Sequence, residues 1–349
     1  PVGNANVYWA MQGLNPDGTR NSSLPVLLDV DNLVDYMLVI FYTGGYDTGI
    51  SRFLGDNFGN NWFGLYNRVT ADQGFQFFIH DNEHSLGAES NYHGTQNIDR
   101  TGPFNNGNQS NFAQFNPQYL HQDLLVHPEY RQRFIDHVQK HFFNGGALTV
   151  QANYDRLMTR VMQVDPAVIA EAARWGDSKV TVPRNKTHWQ TEINWIANTY
   201  FQSRGTTVLN QLRNDGLFTT FSAPTFSQFG GEVPFSYPLT MSAATGTIYF
   251  SIDGVTDPRL IGGGINPAAT PYTGAVPISG ETTVMARVRT AGGAWSGLVM
   301  ATFTTPPPPI PGDYDGNGIV EQDDYLFWKS SYGQTVAPWS GADGNGDGK

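Results

Sequence analysis

The chain has 349 residues, with 31 acidic against 20 basic side chains, a net charge of -11 and no cysteine. That length supports two or three hydrophobic cores, and the negative balance excludes a partner held by phosphate neutralisation, which rules against nucleic acid. Without cysteine there is no disulfide, thiolate metal site or cysteine nucleophile, and the longest apolar run, YMLVIFY, falls far short of the ~20 residues that span a membrane.

The chain begins at Pro1 with no initiator Met or signal segment and stops inside a repeated motif, so it reads as a piece of a longer protein. DNLVDYMLVIFY, residues 31–42, carries Leu33, Val34, Met37, Leu38 and Phe41 on one helical stripe, with Asp31 or Asn32 able to cap the exposed amides. RVTADQGFQFFIH reads as a turn feeding a strand. HPEYRQRFIDHVQKHFF again has helical spacing at Tyr130, Phe134, Val138 and Phe142, and NYDRLMTRVMQV, DPAVIAEAARW and HWQTEINWIANTYF continue it. The first region is therefore α-rich with a small β element.

A soft boundary falls at residues 214–234, where Gly, Pro, Ser and Thr replace the helical pattern. Beyond it, short alternating runs such as TIYFSI and TTVMARVRT between Gly- and Pro-rich turns predict a small β-sandwich. Its Tyr249, Phe250 and Trp295 could line a binding strip, but aromatics in strands more often pack a core. TTPPPPIPG then forms a stiff extended spacer.

After the spacer, DYDGNGIVEQDD matches the template of a calcium loop. Oxygen ligands would come from Asp313, Asp315, Asn317, the Ile319 carbonyl, Glu321 and Asp324, with Gly318 at the sharp turn. ADGNGDGK starts a second copy with Asp343, Asn345 and Asp347. Two such loops around DDYLFWKSSYG resemble a type I dockerin, which implies a calcium-folded, EF-hand-like tail and a cohesin-like docking partner. IYFSIDGVTDPR followed by TTVMARVRTAGGAWSGLVMATF resembles the immunoglobulin-like module found C-terminal to chitobiases. That resemblance implies an accessory domain on an extracellular, polysaccharide-associated protein.

The stretch FFIHDNEHSLG, residues 77–87, ends a strand in a burst of acids and histidines. His80, Glu83 and His84 have the H-x-x-E-H order of a zinc peptidase, but that chemistry needs a helix, and a strand would set His80 and His84 about 13 Å apart. Asp81 and Glu83, two apart in an extended segment, would point to one side and could share a hard cation such as Mg2+. A loop whose acids and amides satisfy backbone is the remaining reading. His93, His121, His137 and His188 lack partners at metal spacing and read as surface or core residues. No phosphate-binding Gly loop followed by Lys and no G-x-S-x-G elbow occurs, and a carboxylate pair on one strand, without a (β/α) repeat around it, is weak support for a glycosidase.

NLVDYMLVIFYTGGYD, NNWFGLYNR and FQFFIHDNEHSLG, in that order, resemble the CotH family of atypical, spore-coat-type protein kinases. The resemblance covers about residues 28–90, with the helical stretch 117–214 as its continuation. It implies that Asp47 accepts the substrate proton, that Asn61 and Asp81 coordinate Mg2+ and that Glu83 orients Asp81. Gly45 stands where the family has an Asn two residues before this Asp. The nucleotide-binding N-lobe would precede the region seen here.

The expectation is thus a multidomain α+β protein. Residues 1–220 would be an α-rich kinase-like C-lobe, 224–304 an immunoglobulin-like β-sandwich, 305–311 a Pro-rich linker and 312–349 a truncated dockerin-like tail. Its function would be extracellular, Mg2+- and ATP-dependent phosphorylation of protein Ser or Thr. The alternative is an inert scaffold acting only through calcium-dependent docking.

Overall fold

The computed structural model describes residues 5–70, 72–87, 97–105, 115–307 and 310–336, together with 343 and 348. The fold is α+β, with one hydrophobic core among helices and a second between strands.

Helix α1 spans Ala5–Ala10 and α2 spans Val30–Thr43. The cap of α2 is Asp29, whose Oδ1 accepts from Asn32 N at 2.9 Å, rather than Asp31 or Asn32 as the sequence suggests. Both alternatives are used elsewhere. Asn32 exchanges two hydrogen bonds with the Phe77 backbone, Nδ2 to O at 3.1 Å and N to Oδ1 at 2.6 Å, tying the helix to a strand 45 residues later. The far end of α2 closes on Gly44 in the left-handed region at φ 62, a geometry glycine adopts without steric cost. The buried Arg204 guanidinium donates there to the carbonyls of Tyr42 and Phe41, placing a cation where the helix dipole is negative.

Strands β1 (Trp62–Leu65) and β2 (Gln76–Ile79) pair antiparallel, with Trp62 opposite Ile79 and Leu65 opposite Gln76. Helices α3 (Pro117–Leu124), α4 (Pro128–Phe142), α5 (Val150–Trp175) and α6 (Lys186–Trp195) follow. A π-helical turn over Ile196–Tyr200 leads into α7 (Phe201–Asn214). The stripe Leu33, Val34, Met37, Leu38 and Phe41 is fully buried, as are Tyr130, Phe134, Val138 and Phe142 of α4, with Tyr200, Val208 and Leu212 completing the core. At roughly 1.5–3 kcal/mol for each such side chain removed from water, these stripes fix which faces of α2 and α4 meet.

The β region forms one five-stranded sheet and two ribbons. Its strands are β3 (Thr225–Phe226), β4 (Gly231–Glu232), β5 (Tyr237–Leu239), β6 (Met241–Ser242), β7 (Thr247–Ser251), β8 (Thr270–Pro271), β9 (Val276–Ile278), β10 (Thr282–Arg289) and β11 (Val299–Thr304). The sheet runs β4-β11-β10-β7-β8, while β3 pairs with β6 and β5 with β9. The core between them holds Leu239, Ile248, Ile278, Val284, Val288 and Phe303. Trp295 is buried and donates Nε1 to Gly263 O at 2.8 Å, so it packs the interior and does not line an exposed strip. Helix α8 (Gln322–Ser331) lies in the tail.

Helix α4 has three working faces. Its apolar stripe faces the helical core. Glu129, Gln132 and Asp136 face the β region, where Glu129 pairs with Arg259, Gln132 donates to Ser296 O at 3.0 Å and Asp136 pairs with Arg287. Arg133, His137 and His141 face Asp31 and Asp35 of α2.

Candidate functional site

Three residues past the cap of α2, the chain turns into a compact loop that delivers Asp47. The loop is closed by bridges between Asp47 and Ser51 and between Ile50 and Gly59. The buried Asn116, which caps α3 through its Oδ1, donates its amide to Gly49 O. The buried Arg100 donates to Ile50 O and to Asp56 Oδ1, the latter at 2.5 Å, so that a cation and an amide clamp the loop from below. Thr48, Ile50 and Ser51 are buried, whereas Asp47 is part-exposed.

Asp47 is held on both oxygens. Oδ1 accepts from Ser51 Oγ and from Asn60 Nδ2 at 3.0 Å, and Oδ2 accepts from Asn61 Nδ2 at 2.9 Å. The same Asn61 amide nitrogen lies 3.0 Å from Asp47 O and 3.5 Å from Asp81 O. Asn61 thereby bridges two segments 34 residues apart in sequence, and Asp47, Asn61 and Asp81 occupy one place. Asn61 and Asp81 both have left-handed backbones, at φ 27 and φ 50, conformations that non-glycine residues hold only where surrounding contacts impose them. Those contacts include Tyr46 N to His84 O at 2.8 Å and Leu86 N to Thr43 O at 2.8 Å, which lay residues 81–87 along the exit of α2.

Strand β2 ends at Ile79, and the turn at Asp81 breaks the extended geometry. The expectation that Asp81 and Glu83 share one side of a strand therefore fails, because alternation holds only while the backbone remains extended. Glu83 is 61% exposed and lies 3.6 Å from His84 Nε2. The segment is not helical either, so the H-x-x-E-H residues lack the one-turn spacing that zinc peptidases need.

The donor set suits a hard cation. Asn82 Oδ1 is buried without a hydrogen-bond partner among the described residues, close to the Asp47 loop, and is an oxygen that could serve a hard cation. With Asn61 Nδ2 on Asp47, the other branch of the amide, Oδ1, is the atom that could serve a cation. Asn82 and Thr48 together account for Gly45. A Cβ at Gly45 would stand 2.3 Å from Thr48 Cγ2 and 2.9 Å from Asn82 Oδ1, so the space beside Gly45 is filled by Thr48 and by Asn82 of the 81–87 loop. Sequence reasoning passed over Asn82, and its place between two acids was the available signal.

A family model described as CotH kinase protein matches residues 10–208, more than half of the chain. The chain belongs to the CotH kinase family. The match covers α2, the Asp47 loop, the β1–β2 hairpin and the helices through most of α7. No curated protein and no solved structure matches the chain. Among the described residues of this CotH-family chain, no helix is long and apolar enough to cross a membrane.

In the tail, Asp313, Asp315 and Asp324 each bring a carboxylate oxygen within 4.8 Å of the others. Asn317 Nδ2 donates to Asp315 Oδ2 at 3.0 Å and to Glu321 Oε1 at 3.1 Å, and Gly318 N to Asp313 Oδ2 at 2.8 Å. Asp324 turns its oxygens onto the backbone, accepting from Tyr314 N at 2.6 Å and Glu321 N at 2.7 Å. Three carboxylates this close are hard oxygen donors of the kind that could hold calcium. Asp343 Oδ2 accepts from Gly348 N at 2.9 Å, while Asn345 and Asp347 lie outside the described residues.

The histidines separate cleanly. His121 is buried against Phe41 and Phe134, with Nδ1 2.7 Å from the Tyr130 hydroxyl, and burial lowers it to about 3. His188 closes a capping box with Asn185, and His93 lies outside the described residues. His137 departs from the sequence expectation, because its ring meets Asp31 and Asp35 and it shares Asp35 with His141. Burial opposes its charge, but hydrogen bonds to the two carboxylates prevail and raise it to about 9.

Proposed function

We propose that this CotH-family chain carries the catalytic half of a phosphotransferase that moves the γ-phosphoryl group of ATP to a Ser or Thr hydroxyl of a protein outside the cell. The observation that carries this reading is the Asn61 amide lying 2.9 Å from Asp47 Oδ2 and 3.5 Å from Asp81 O. Asp47, aimed by Ser51, Asn60 and Asn61, accepts the hydroxyl proton. Asn61, Asp81 and Asn82 provide oxygens for Mg2+, and Glu83 borders them at the surface. Magnesium, when bound, supplies charge neutralisation on the phosphates.

The test is phosphate incorporation from γ-labelled ATP into a protein acceptor by the full chain with Mg2+, alongside calorimetry with Mg-ATP. Incorporation that disappears in Asp47→Asn and Asp81→Ala supports the assignment. No heat and no incorporation with the unaltered chain would overturn it.

A second reading, a scaffold that docks through its calcium tail, draws on one specific feature. Ile319, Val320, Tyr325, Leu326 and Phe327 are all exposed beside the acidic loop, an apolar surface suited to a cohesin-like protein. The β region would then serve as the accessory module of a polysaccharide-associated assembly. Calcium-dependent retention of a cohesin domain by the tail tests it, and equal retention in EDTA would rule it out.

A further inference from the structure

Helices α2 and α4 each place two polar residues one turn apart on their facing sides, Asp31 and Asp35 on one, His137 and His141 on the other. Residues four apart share a helix face, so the four groups form one cluster. Asp35 Oδ1 lies 2.6 Å from His137 Nδ1 and 2.9 Å from His141 Nε2. One ligand atom from each of Asp35, His137 and His141 falls within 4.8 Å of the other two. We propose that Asp35, His137 and His141 form a binding site for a divalent transition metal of the zinc class.

The ligand chemistry fits. Two imidazoles and one carboxylate are a zinc donor set that leaves a fourth position for water, and the same nitrogens suit Co2+, Ni2+ and Cu2+. The geometry needs little change, since metal–ligand bonds of about 2.0–2.2 Å in a tetrahedron hold ligand atoms about 3.3 Å apart.

A further observation concerns the outer contacts. The second nitrogen of His137, Nε2, lies 2.9 Å from Asp31 Oδ1. Asp31 is in turn gripped by Arg133, through Nε and through Nη2 at 2.6 Å, and Arg133 Nη1 is fixed on Gln12 Oε1 at 2.7 Å. Metal-ligating histidines characteristically give their other N–H to such an anchored carboxylate, which fixes the ring so that the remaining nitrogen meets the ion. Among the described residues, no Lys or Arg side chain pairs with Asp35, whose charge meets only the two imidazoles. An entry path exists, because the Asp35 side chain is 42% exposed while His137 and His141 are 12% and 17% exposed.

The site lies on the side of α2 that packs against α4, apart from the Asp47 loop that follows the helix. Its occupant would clamp α2 to α4 and so stiffen the element that delivers Asp47. The assignment is independent of phosphoryl transfer.

The test uses the full chain, stripped with EDTA and supplied with excess CaCl2 to saturate the tail loop. Titration with CoCl2 should give the visible bands of a tetrahedral nitrogen-containing site at one equivalent, and ZnCl2 should abolish them. Asp31→Asn should weaken zinc binding by ~10–100-fold, the scale of an outer-contact change. His141→Ala should remove the bands, whereas His188→Ala should leave them intact. Absence of such bands in the unaltered chain overturns the proposal whatever the variants do. A His141→Ala chain with unchanged circular dichroism that binds as before overturns it equally.

Discussion

Arg287 of strand β10 and Asp136 of helix α4 meet side on, Nη1 to Oδ1 at 2.5 Å and Nη2 to Oδ2 at 2.8 Å, although 151 residues separate them. Arg287 is 2% exposed and also holds Asp257, while Asp136 accepts from Leu298 N at 3.0 Å. The β region is therefore fastened to the helical region through a desolvated ion pair, where a solvated tether would leave the two free to separate. Removing Asp136 leaves Arg287 paired with Asp257 but takes one carboxylate from the guanidinium and the acceptor from the Leu298 amide, so Asp136→Ala should lower stability by ~1–3 kcal/mol in urea unfolding. A loss below 1 kcal/mol would mean the contact is not maintained in solution.

At the candidate site, Asn61 has two duties, holding Asp47 and adopting a left-handed backbone. Asn61→Gly removes the first alone, and Asn61→Ala compromises both. Thermal unfolding should rank Gly above Ala, with Ala lower by ~1 kcal/mol because a Cβ disfavours positive φ. Phosphate incorporation should fall in both.

Gly45→Asn restores the residue expected from the CotH pattern and should nevertheless do harm. Its Cβ would crowd Thr48 Cγ2 and Asn82 Oδ1, and Thr48 is buried. Overpacking of this kind costs about 1–3 kcal/mol, which a melting curve would register. Unchanged melting would show that the 81–87 loop does not rest on Gly45.

His121 makes stability pH-dependent. Burial holds its folded pKa at about 3 against an ordinary value of 6.5, so between those values the unfolded chain binds the extra proton. Stability is therefore unaffected by this residue above pH 6.5 and falls as pH drops toward 3, by at most ~1.4 kcal/mol per pH unit. The difference between the unaltered chain and His121→Gln, in denaturant midpoints from pH 7 to pH 4, should isolate that slope.

Calcium removal should act on the tail. In a chain already free of transition metal, withdrawing calcium should accelerate hydrogen exchange across residues 313–331, where carboxylates crowd without a counter-ion, and leave α2 and α4 unchanged. Asp313→Ala should reproduce the effect with calcium present. Equal exchange with and without calcium would remove the loop assignment.

Legibility followed the type of signal. The apolar stripes of α2 and α4 could be read because burial rewards residues at helical spacing, and Leu33 to Phe41 and Tyr130 to Phe142 lie as their spacing implied. Asp31 shows where such reading stops. Its position suits a cap, yet Asp29 caps the helix while Asp31 pairs with Arg133, 102 residues away. Strand alternation puts Asp81 and Glu83 on one side, and a single positive φ at Asp81 removes the premise. His137 and His141 carried a one-turn spacing in plain sight, but their meaning required Asp35 opposite them.

By itself the sequence determined the helices, the β-rich second half, the acidic loop of the tail and the order of segments that marks a CotH kinase chain. All of these are local, set by periodicity, turn residues and spacing within a few residues. The tertiary structure alone decided the polar partnerships: Asn61 between Asp47 and Asp81, Arg287 on Asp136, two histidines on Asp35. A polar side chain finds its partner by direction and distance across the folded chain, and nothing in its immediate neighbours encodes either.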